Sequence, residues 1–299
     1  MDQIRVVFLG TGAAAPTRTR NVSSLAIVLD GDVLLFDAGE GTQHQLMRST
    51  VRPGSIEAVL ITHLHGDHLF GLPGLLATLG LNGRDRPLRL IGPPGLHHFV
   101  AAIPYRGTPY EILISESSGG EVLRANGYRV AAAMLNHSVE CLGYCVIEDD
   151  RPGTFDVARA GELGVPAGPL YRQLQIGNDV TLADGRTIHS SDVVGPPRRG
   201  RRIAFCTDTR PCDAAIELAR DADLLIHEAT YANDHANEAR ERFHSTAEEA
   251  ARVAAAANVR RLVLTHISAR YDEMSALRRE SAAIFSHVEI ASDLTEIRL

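Results

Sequence analysis

The sequence contains no lysine and no tryptophan, so all 30 of its basic residues are arginines. We attribute this bias to the source of the protein rather than to its activity, although the planar arginine fork does suit phosphate contacts. The chain also lacks any apolar run near the roughly 20 residues of a membrane-spanning helix, which excludes such a helix. No basic segment followed by an apolar one stands near its start, so we expect a cytoplasmic protein with no membrane association.

Cysteine is scarce, and the four present form no C-x-x-C pair. They are Cys141, Cys145, Cys206 and Cys212, all in or beside strand-like segments. This arrangement argues against a disulfide framework and predicts buried free thiols. The net charge of -7 argues against a protein that binds polyanions without specificity. It leaves a nucleic-acid substrate open, because metal cations held in a cleft would reverse the local charge.

One short segment concentrates potential metal ligands directly after the apolar run 58–61, which predicts a buried strand. The four ligands are His63, His65, Asp67 and His68. At a strand end, His63 and His65 would project to the same side and reach one ion. We expect Gly66 to adopt a positive φ and to turn the chain toward a second ion. Nitrogen and carboxylate ligands without cysteine favour zinc, with manganese and iron as alternatives.

Three further candidate ligands stand singly at the ends of apolar strands. They are His137, Asp208 and His266. A lone polar residue in such a position is usually a satisfied core or surface residue. The H-x-H-x-D-H segment, however, is the signature of the metallo-β-lactamase superfamily, whose two-metal site needs one further histidine, a bridging carboxylate and a final histidine.

The 299 residues suit one large α/β domain with an insertion. Strand-like runs occupy residues 4–9, 25–29, 33–37, 58–62, 128–135, 143–147, 203–206, 224–227 and 262–265, and helical patterns occupy 41–48, 72–81, 246–257 and 274–285. Thr246 with Glu249 forms a capping box at one helix start. These elements predict a two-sheet sandwich with helices on both outer faces, the four-layer αββα metallo-β-lactamase fold.

Residues 149–202 interrupt this pattern with Gly/Pro-rich stretches and little periodicity. We therefore predict a core formed by 1–148 and 203–299 and an inserted arm formed by 149–202. A functional arm and a disordered linker are the two alternatives for the insertion. Arginines cluster at its exit, at Arg198, Arg199, Arg201 and Arg202.

Beyond the histidine segment, the chain resembles the RNase Z family of tRNA 3′-processing endonucleases, in its short form. The matching blocks lie at residues 8–12, 16–21, 36–42, 63–75, 137–144, 208–211, 227–230, 244–246 and 266–271. The resemblance implies a homodimeric endoribonuclease with two zinc ions per subunit. It would remove the 3′ trailer from precursor tRNA, leaving a 3′-hydroxyl on the tRNA and a 5′-phosphate on the trailer.

The resemblance also implies a role for each site residue. It places His63, His65 and His137 on one zinc ion, Asp67, His68 and His266 on the other, and Asp208 between them. Asp67 would accept the proton of the attacking water. His244, supported by Glu228, would protonate the leaving 3′-oxygen.

Substrate contacts are implied for two sets of residues. In the core these are Arg18, Arg20, Asn21, Arg270 and Tyr271, and in the arm they are Gly168, Pro169, Arg198 and Arg199. Arg18 stands where the family has lysine in its P-x-K-x-R-N loop, which leaves open how a CCA end is treated. In family dimers, the arm of one subunit grips the tRNA elbow for the other.

Two other functions remain open. A phosphodiesterase of the same fold, acting on cyclic nucleotides or small phosphodiesters, would not need the arm. A non-catalytic RNA-binding scaffold would not need a complete set of metal ligands.

Overall fold

The computed structural model describes residues 3–103 and 107–299. The chain forms two compact units. One comprises the chain up to Ile147 and from Arg202 onward, and we call it the core unit. The other is Glu148–Arg201, which we call the arm. No helix within the described residues combines the length and apolar character needed to cross a membrane.

The first sheet of the core unit has seven strands and carries the histidine segment. Its strands are β1 (Ile4–Gly10), β2 (Ser24–Leu29), β3 (Asp32–Phe36), β4 (Ile56–Leu60), β5 (Leu88–Gly92), β6 (Ile112–Glu116) and β16 (Glu296–Arg298). Their order is β16-β1-β2-β3-β4-β5-β6. Strands β3 to β6 run parallel, whereas β16, β1, β2 and β3 pair antiparallel.

The second sheet also has seven strands. These are β7 (Gly120–Ala125), β8 (Tyr128–Met134), β9 (Leu142–Glu148), β12 (Arg202–Cys206), β13 (Leu224–Glu228), β14 (Leu262–Thr265) and β15 (Val288–Ile290). Their order is β15-β14-β13-β12-β9-β8-β7. Strands β12 to β15 are parallel, and β9 pairs antiparallel with β12. The carboxyl ends of parallel strands therefore face the same edge within each sheet.

Helices cover the outer faces of both sheets. The core-unit helices are α1 (Thr42–Arg48), α2 (Gly66–Leu69), α3 (Leu72–Leu81), α4 (Leu96–Ala101), α7 (Asp213–Leu218), α8 (Ala236–Glu241), α9 (Ala247–Ala256) and α10 (Ser275–Ala282). In β1, Ile4, Val6 and Phe8 point into the core between the sheets, while Val7 and Leu9 pack on the helix side. This alternation buries both faces of the strand. The predicted four-layer αββα sandwich is confirmed.

Most strands and helices with strong apolar patterns are predicted from the sequence, with the buried strand β5 (Leu88–Gly92) as an exception. The strand before Asp208 and the helix after Thr246 are present, and Thr246 and Glu249 exchange the two hydrogen bonds of a capping box at 3.2 and 2.9 Å. Strands β6 and β7 were not predicted. Their side chains are largely half-buried or exposed, so they carry no clean apolar alternation.

The arm is folded. It contains α5 (Val157–Glu162), α6 (Pro169–Gln175) and a hairpin of β10 (Val180–Thr181) with β11 (Thr187–Ile188). These elements enclose a small apolar cluster of their own, formed by Ala160, Val165, Leu174, Val180, Leu182, Ile188 and Val193. The alternative of a disordered linker is therefore wrong. The sequence left it open because an apolar core of scattered residues produces little periodicity.

Candidate metal centre

Polar residues at the strand ends of both sheets of the core unit meet in one place. The histidine segment follows β4, Asp208 follows β12 by two residues, and His266 directly follows β14. His137 lies three residues beyond β8. The structure brings together all seven residues that the sequence singles out as ligands, in groups that meet the spacing of metal sites.

The first cluster consists of His63, His65 and His137. The distance from His63 Nε2 to His65 Nδ1 is 3.0 Å, and that from His137 Nε2 to His65 Nδ1 is 3.3 Å. Three ring nitrogens thus face one point.

The second cluster consists of Asp67, His68 and His266. His68 Nε2 lies 3.5 Å from Asp67 Oδ2 and 3.3 Å from His266 Nε2. His266 Nε2 lies 3.4 Å from the same Asp67 oxygen. Two ring nitrogens and one carboxylate oxygen therefore converge here.

Asp208 divides its two oxygens between the clusters. Its Oδ2 lies 3.7 Å from His63 Nε2 and 4.0 Å from His137 Nε2. Its Oδ1 lies 3.3 Å from both His68 Nε2 and His266 Nε2. A carboxylate in this position could be shared by metal ions held in the two clusters.

The donor set fits a pair of metal ions. Zinc binds imidazole nitrogen at about 2.0–2.1 Å with tetrahedral geometry, which places ligand atoms roughly 3.3–3.4 Å apart. The separations of 3.0–3.5 Å within the two clusters lie close to that edge length. Five histidines and two aspartates without cysteine are donors for zinc, iron or manganese rather than for a soft metal.

Each of four ligand imidazoles is anchored through its other ring nitrogen. His68 Nδ1 lies 2.7 Å from Asp37 Oδ2, and His137 Nδ1 donates to the Phe243 carbonyl at 3.1 Å. Threonine hydroxyls are the partners of the other two imidazoles. Thr62 Oγ1 lies 3.0 Å from His63 Nδ1, and Thr230 Oγ1 lies 3.1 Å from His266 Nδ1. Such partners set the tautomer and turn the free nitrogen toward the metal.

Asp37 was not among the predicted site residues. It is fully buried, and its Oδ1 accepts hydrogen bonds from the Thr62 N–H at 2.8 Å and the Thr62 hydroxyl at 3.0 Å. A signal for it was present, because Asp37 directly follows β3 just as the other polar site residues follow their strands. It lies in the block 36–42 that carries part of the family resemblance.

Backbone strain is concentrated around the centre. Five residues without glycine's freedom adopt left-handed φ values there: Ala14 (61°), Asp37 (59°), Asp208 (52°), Phe243 (60°) and His266 (55°). Such conformations cost energy, and surrounding structure must enforce them. Here the strain turns side chains at the strand ends into the site.

Gly66 does not supply the predicted bend. It begins α2 and is absent from the positive-φ residues of the described chain. A Cβ there would lie 2.5 Å from the ring of Phe70, a side chain that is 66% exposed, so a larger residue would displace that ring. The convergence of His63 and His65 likewise comes from the segment after Leu60, where β4 ends, and not from alternation along the strand.

Burial prepares the first cluster for metal binding. Burial and the neighbouring His68 hold the pKa of His63 well below its ordinary value, and burial also lowers the pKa of His137. Neutral imidazoles are the form that binds a cation. Burial would lower the pKa of His68 as well, but the charges of Asp208 and Asp37 outweigh it and raise that pKa.

Glu228 and His244, the predicted proton-donating pair, lie beside the clusters. His244 Nδ1 is 2.8 Å from Glu228 Oε1. Burial works against the charged imidazole, but the charge of Glu228 and this hydrogen bond raise the pKa of His244 to about 9. For Glu228, burial alone would raise the pKa, and the charge on His244 outweighs it and lowers the pKa.

His244 also lies close enough to Asp208 and His137 to be considered as a metal ligand. One observation favours the proton-donating role. The His244 nitrogen that lies near the clusters, 4.0 Å from Asp208 Oδ2, is Nδ1, and this nitrogen is already bonded to Glu228. His244 lines the cavity over the metal ligands with its remaining nitrogen unengaged among the described residues.

That cavity has a volume of about 320 Å³. It is lined by Asp67, Asp208 and His266 from the clusters and by Arg242 and Arg270 at the rim. It therefore joins candidate metal ligands, the His244 imidazole and arginine side chains of a type suited to phosphate groups.

The predicted substrate residues of the 16–21 loop fall into two kinds. Arg18 is exposed and forms no hydrogen bond or ion pair with other described residues. Arg20 points inward, where its guanidinium donates to Thr11 Oγ1 at 2.6 Å and the Ala291 carbonyl at 2.7 Å. The Asn21 N–H donates to Asp293 at 2.6 Å. Arg20 and Asn21 thus hold the loop, and Arg18 is presented to solvent.

Arg270 and Tyr271 both have partners in neighbouring elements of the core unit. Both terminal nitrogens of Arg270 donate to Glu238 at 2.9 Å, and its guanidinium lies 4.9 Å from the centre of the Tyr231 ring. The Tyr271 hydroxyl accepts the Ala232 N–H at 2.8 Å. Arg270 therefore shapes the cavity wall, and Tyr271 holds the neighbouring chain in place.

Within the arm, Gly168 takes a φ of 141° immediately before Pro169, which begins α6. Arg198 and Arg199 are exposed. Arg201, by contrast, donates from Nε and from a terminal nitrogen to the two oxygens of Glu148 at 2.8 Å each. The arginine cluster at the arm exit is therefore not one uniform basic surface.

The sequence of the chain matches two protein-family models and the sequences of known proteins. The model of the Anti-Pycsar protein Apyc1 matches residues 4–100, and that of the beta-lactamase superfamily domain matches residues 175–267. A ribonuclease Z from a Cyanothece strain is 47% identical over 306 residues, covering 99% of this chain and 96% of the relative. A ribonuclease Z from Myxococcus xanthus is 48% identical over 275 residues, covering 91% and 89%.

Among solved structures, human tRNase Z, short form, matches with a TM-score of 0.72 and 29% identity. The match covers 98% of each chain. The match therefore spans the residues of the arm as well as those of the core unit.

Proposed function

The chain belongs to the ribonuclease Z family, and on this premise we propose that it removes the 3′ trailer from tRNA precursors. It is a hydrolase of phosphodiester bonds on the metallo-β-lactamase fold. The cut would leave a 3′-hydroxyl on the tRNA and a 5′-phosphate on the trailer. The observation that carries this proposal is the bridging position of Asp208 between two complete ligand clusters, beside a cavity with a separate acid.

We further propose that zinc is the resident metal. His63, His65 and His137 would hold one ion, Asp67, His68 and His266 the other, with Asp208 shared. Bound metals would supply Lewis-acid activation of the attacking water and neutralise charge on the scissile phosphate.

Asp67 is assigned as the proton acceptor. Burial would raise its pKa, but hydrogen bonds with His266 and His68 outweigh burial and hold the pKa well below the ordinary range. The carboxylate therefore stays ionised. The Ala14 N–H donates to Asp67 Oδ2 at 2.8 Å and fixes the orientation of the carboxylate.

His244 is assigned as the proton donor for the leaving 3′-oxygen. Its link to Glu228 keeps the imidazole protonated at neutral pH, which is the form an acid needs. Glu228 is itself held by the N–H groups of Thr209 and Ser245 at 2.8 and 3.1 Å. His244 is thus oriented by a buried carboxylate whose own position is fixed by backbone hydrogen bonds.

For the arm we propose a tRNA-gripping role, in a homodimer where one subunit's arm serves the other. Support comes from its independent apolar cluster and its exposed Arg198 and Arg199. A small phosphodiester would not reach such a surface, so the arm distinguishes a tRNA enzyme from a small-molecule phosphodiesterase.

The test compares two substrates and two forms of the enzyme. Full-length protein should cut a tRNA precursor at the 3′ end of the acceptor stem, with product ends mapped, and chelation should stop the reaction until zinc is restored. Removing residues 152–197 should raise KM for the precursor and leave hydrolysis of a chromogenic phosphodiester unchanged. Equal damage to both substrates, or intact precursor cleavage, would contradict the tRNA-gripping role. Failure to cut any precursor would contradict the proposed function.

A further inference from the structure

The hydroxyl of Thr230 lies between the second cluster and the proton-donating pair. Its Oγ1 donates to Glu228 Oε2 at 2.7 Å and accepts from His266 Nδ1 at 3.1 Å. The same oxygen lies 3.4 Å from His244 Nδ1. A single atom thus touches a metal ligand, the buried carboxylate and the acid.

The directions of these hydrogen bonds follow from their partners. His266 turns Nε2 toward the second metal position between Asp67 and Asp208, so with a metal bound at Nε2 its proton would reside on Nδ1 and point at the Thr230 oxygen. Glu228 is an acceptor only, so the hydroxyl proton of Thr230 points at Oε2. The chain of hydrogen bonds therefore runs in one direction, from His266 through Thr230 to Glu228.

Within the described residues, the Thr230 hydroxyl is the one hydrogen-bond partner of His266 Nδ1, whereas Glu228 Oε2 also accepts the N–H groups of Thr230 and Ser245 at 3.2 and 3.1 Å. Thr230, Glu228 and His266 are all buried, with 4%, 0% and 2% of their surface exposed. Glu228 uses Oε1 for His244 and for the Thr209 N–H at 2.8 Å. Removing the hydroxyl would thus leave a buried N–H on His266 without an acceptor, and buried groups in that state are unfavourable.

We propose that Thr230 is a positioning residue that couples the second metal position to the Glu228–His244 pair. By accepting from His266 Nδ1, its hydroxyl fixes the His266 tautomer that binds metal. By donating to Glu228 Oε2, the same hydroxyl helps to hold Glu228 in the orientation that directs His244. The inference deepens the proposed function and rests on it for the role of His244. Thr230 forms part of the cavity wall, but its hydroxyl is committed to Glu228 and His266, so it acts through these partners.

The test uses Thr230→Val, which keeps the shape and removes the hydroxyl, and Thr230→Ser, which keeps the hydroxyl. Partners of metal ligands are worth roughly 10- to 100-fold in metal affinity or activity. We therefore expect Thr230→Val to weaken binding of the second zinc ion by that factor, measured by competition with a chromophoric chelator in the absence of substrate. With zinc saturating, kcat should still fall while KM stays constant. Thr230→Ser should restore both quantities.

The link to the acid is tested in a His244→Ala background. There, Thr230→Val should cause no further fall in kcat but should still weaken zinc binding. An equal fall in both backgrounds would overturn the coupling. Failure of serine to rescue would show that the methyl group matters, and would overturn the hydroxyl's role. If Thr230→Val does not fold, Thr230→Ala with the same two readouts replaces it. The zinc measurement needs no RNA, so it stands apart from any failure of the tRNA assignment.

Discussion

The core unit and the arm each contain a histidine–aspartate pair with the same distance between the imidazole Nδ1 and the carboxylate Oδ2. In the core unit His68 Nδ1 lies 2.7 Å from Asp37 Oδ2, and in the arm His189 Nδ1 lies 2.7 Å from Asp179 Oδ2. The first pair is fully buried, whereas the side chains of the second are 60% and 51% exposed. Water screens the exposed pair and competes for its hydrogen bonds, so it contributes little. Equal geometry therefore does not mean equal function.

The wider contrast follows the same rule. The metal centre consists largely of buried polar groups that are held by specific partners, and removing one leaves its neighbours unsatisfied. The arm holds its shape through a small apolar cluster and presents polar groups to solvent. Changes in the centre should affect chemistry and metal binding, and changes on the arm surface should affect only substrate binding.

The largest effect is expected for Asp67→Ala. It removes a second-cluster ligand and the assigned base, so cleavage should fall by more than the roughly 10²- to 10⁴-fold that acid–base catalysis contributes. Single-turnover cleavage of a tRNA precursor, with zinc content measured in parallel, checks this. Asp272→Ala, which changes an exposed aspartate, is the control and should keep wild-type activity. Turnover above a few per cent of wild type in a zinc-loaded Asp67→Ala protein would refute the assignment.

For His244→Ala we expect slower chemistry, by roughly 10²- to 10⁴-fold, because a general acid is removed. Zinc content should not change, since His244 is bonded to Glu228 rather than to a metal position. A substrate whose leaving group needs no proton should recover the rate. A fall in zinc content in this variant would instead make His244 a ligand and contradict its role as the acid.

The variants Asp37→Asn and Asp179→Asn compare the two histidine–aspartate pairs directly. Both replace a charged partner of a histidine with a neutral one of similar size. In the buried pair this should weaken metal affinity or activity by roughly 10- to 100-fold, as for other partners of metal ligands. In the exposed pair both quantities should stay at the wild-type level. Chelator competition measures metal affinity, and precursor cleavage measures activity. Similar effects in both variants would show that the difference in burial does not determine the function of the two pairs.

Glu228→Gln should shift the pH profile. In the wild type, Glu228 raises the pKa of His244 to about 9, so the acid form persists below that pH and disappears as pH rises through it. Removing the negative charge lowers this pKa, so the alkaline limb of log kcat against pH should move to lower pH. Glu241→Gln, at an exposed position, should leave the profile in place. An unmoved limb in Glu228→Gln would argue that another group is titrating.

The smallest effect is expected on the arm surface. Replacing Arg198 and Arg199 by glutamine should reduce the slope of log Kd against log salt by roughly 0.7–0.9 for each phosphate that is no longer neutralised. Arg201→Gln should leave that slope unchanged, because Arg201 is bonded to Glu148. Binding of a precursor at several salt concentrations distinguishes the variants. A slope that depends on Arg201 alone would contradict the assignment of phosphate binding to Arg198 and Arg199.

Local pattern was sufficient for the strongest features. The apolar runs before His63, Asp208 and His266 predict strands, and each strand is present. The sequence analysis does not identify Thr62 and Thr230 as site residues, because a lone Thr beside a strand has no distinguishing spacing, and it overlooks Asp37 although this residue directly follows a strand as Asp208 nearly does. Thr230, for example, meets His266 from 36 residues away, and only the packed structure reveals that hydrogen bond.

Taken alone, the sequence determined the chemistry of the donors, the αββα layers and the family, because these depend on residue type, local spacing and apolar alternation. Tertiary structure decided which oxygen of Asp208 faces which cluster, and which arginines face solvent. It turned Arg20 and Arg201 toward internal partners, paired Arg270 with Glu238 at the surface, and left Arg18 exposed. The physical reason is that the function of a polar side chain depends on its burial and its partners, and both are set by residues distant in sequence.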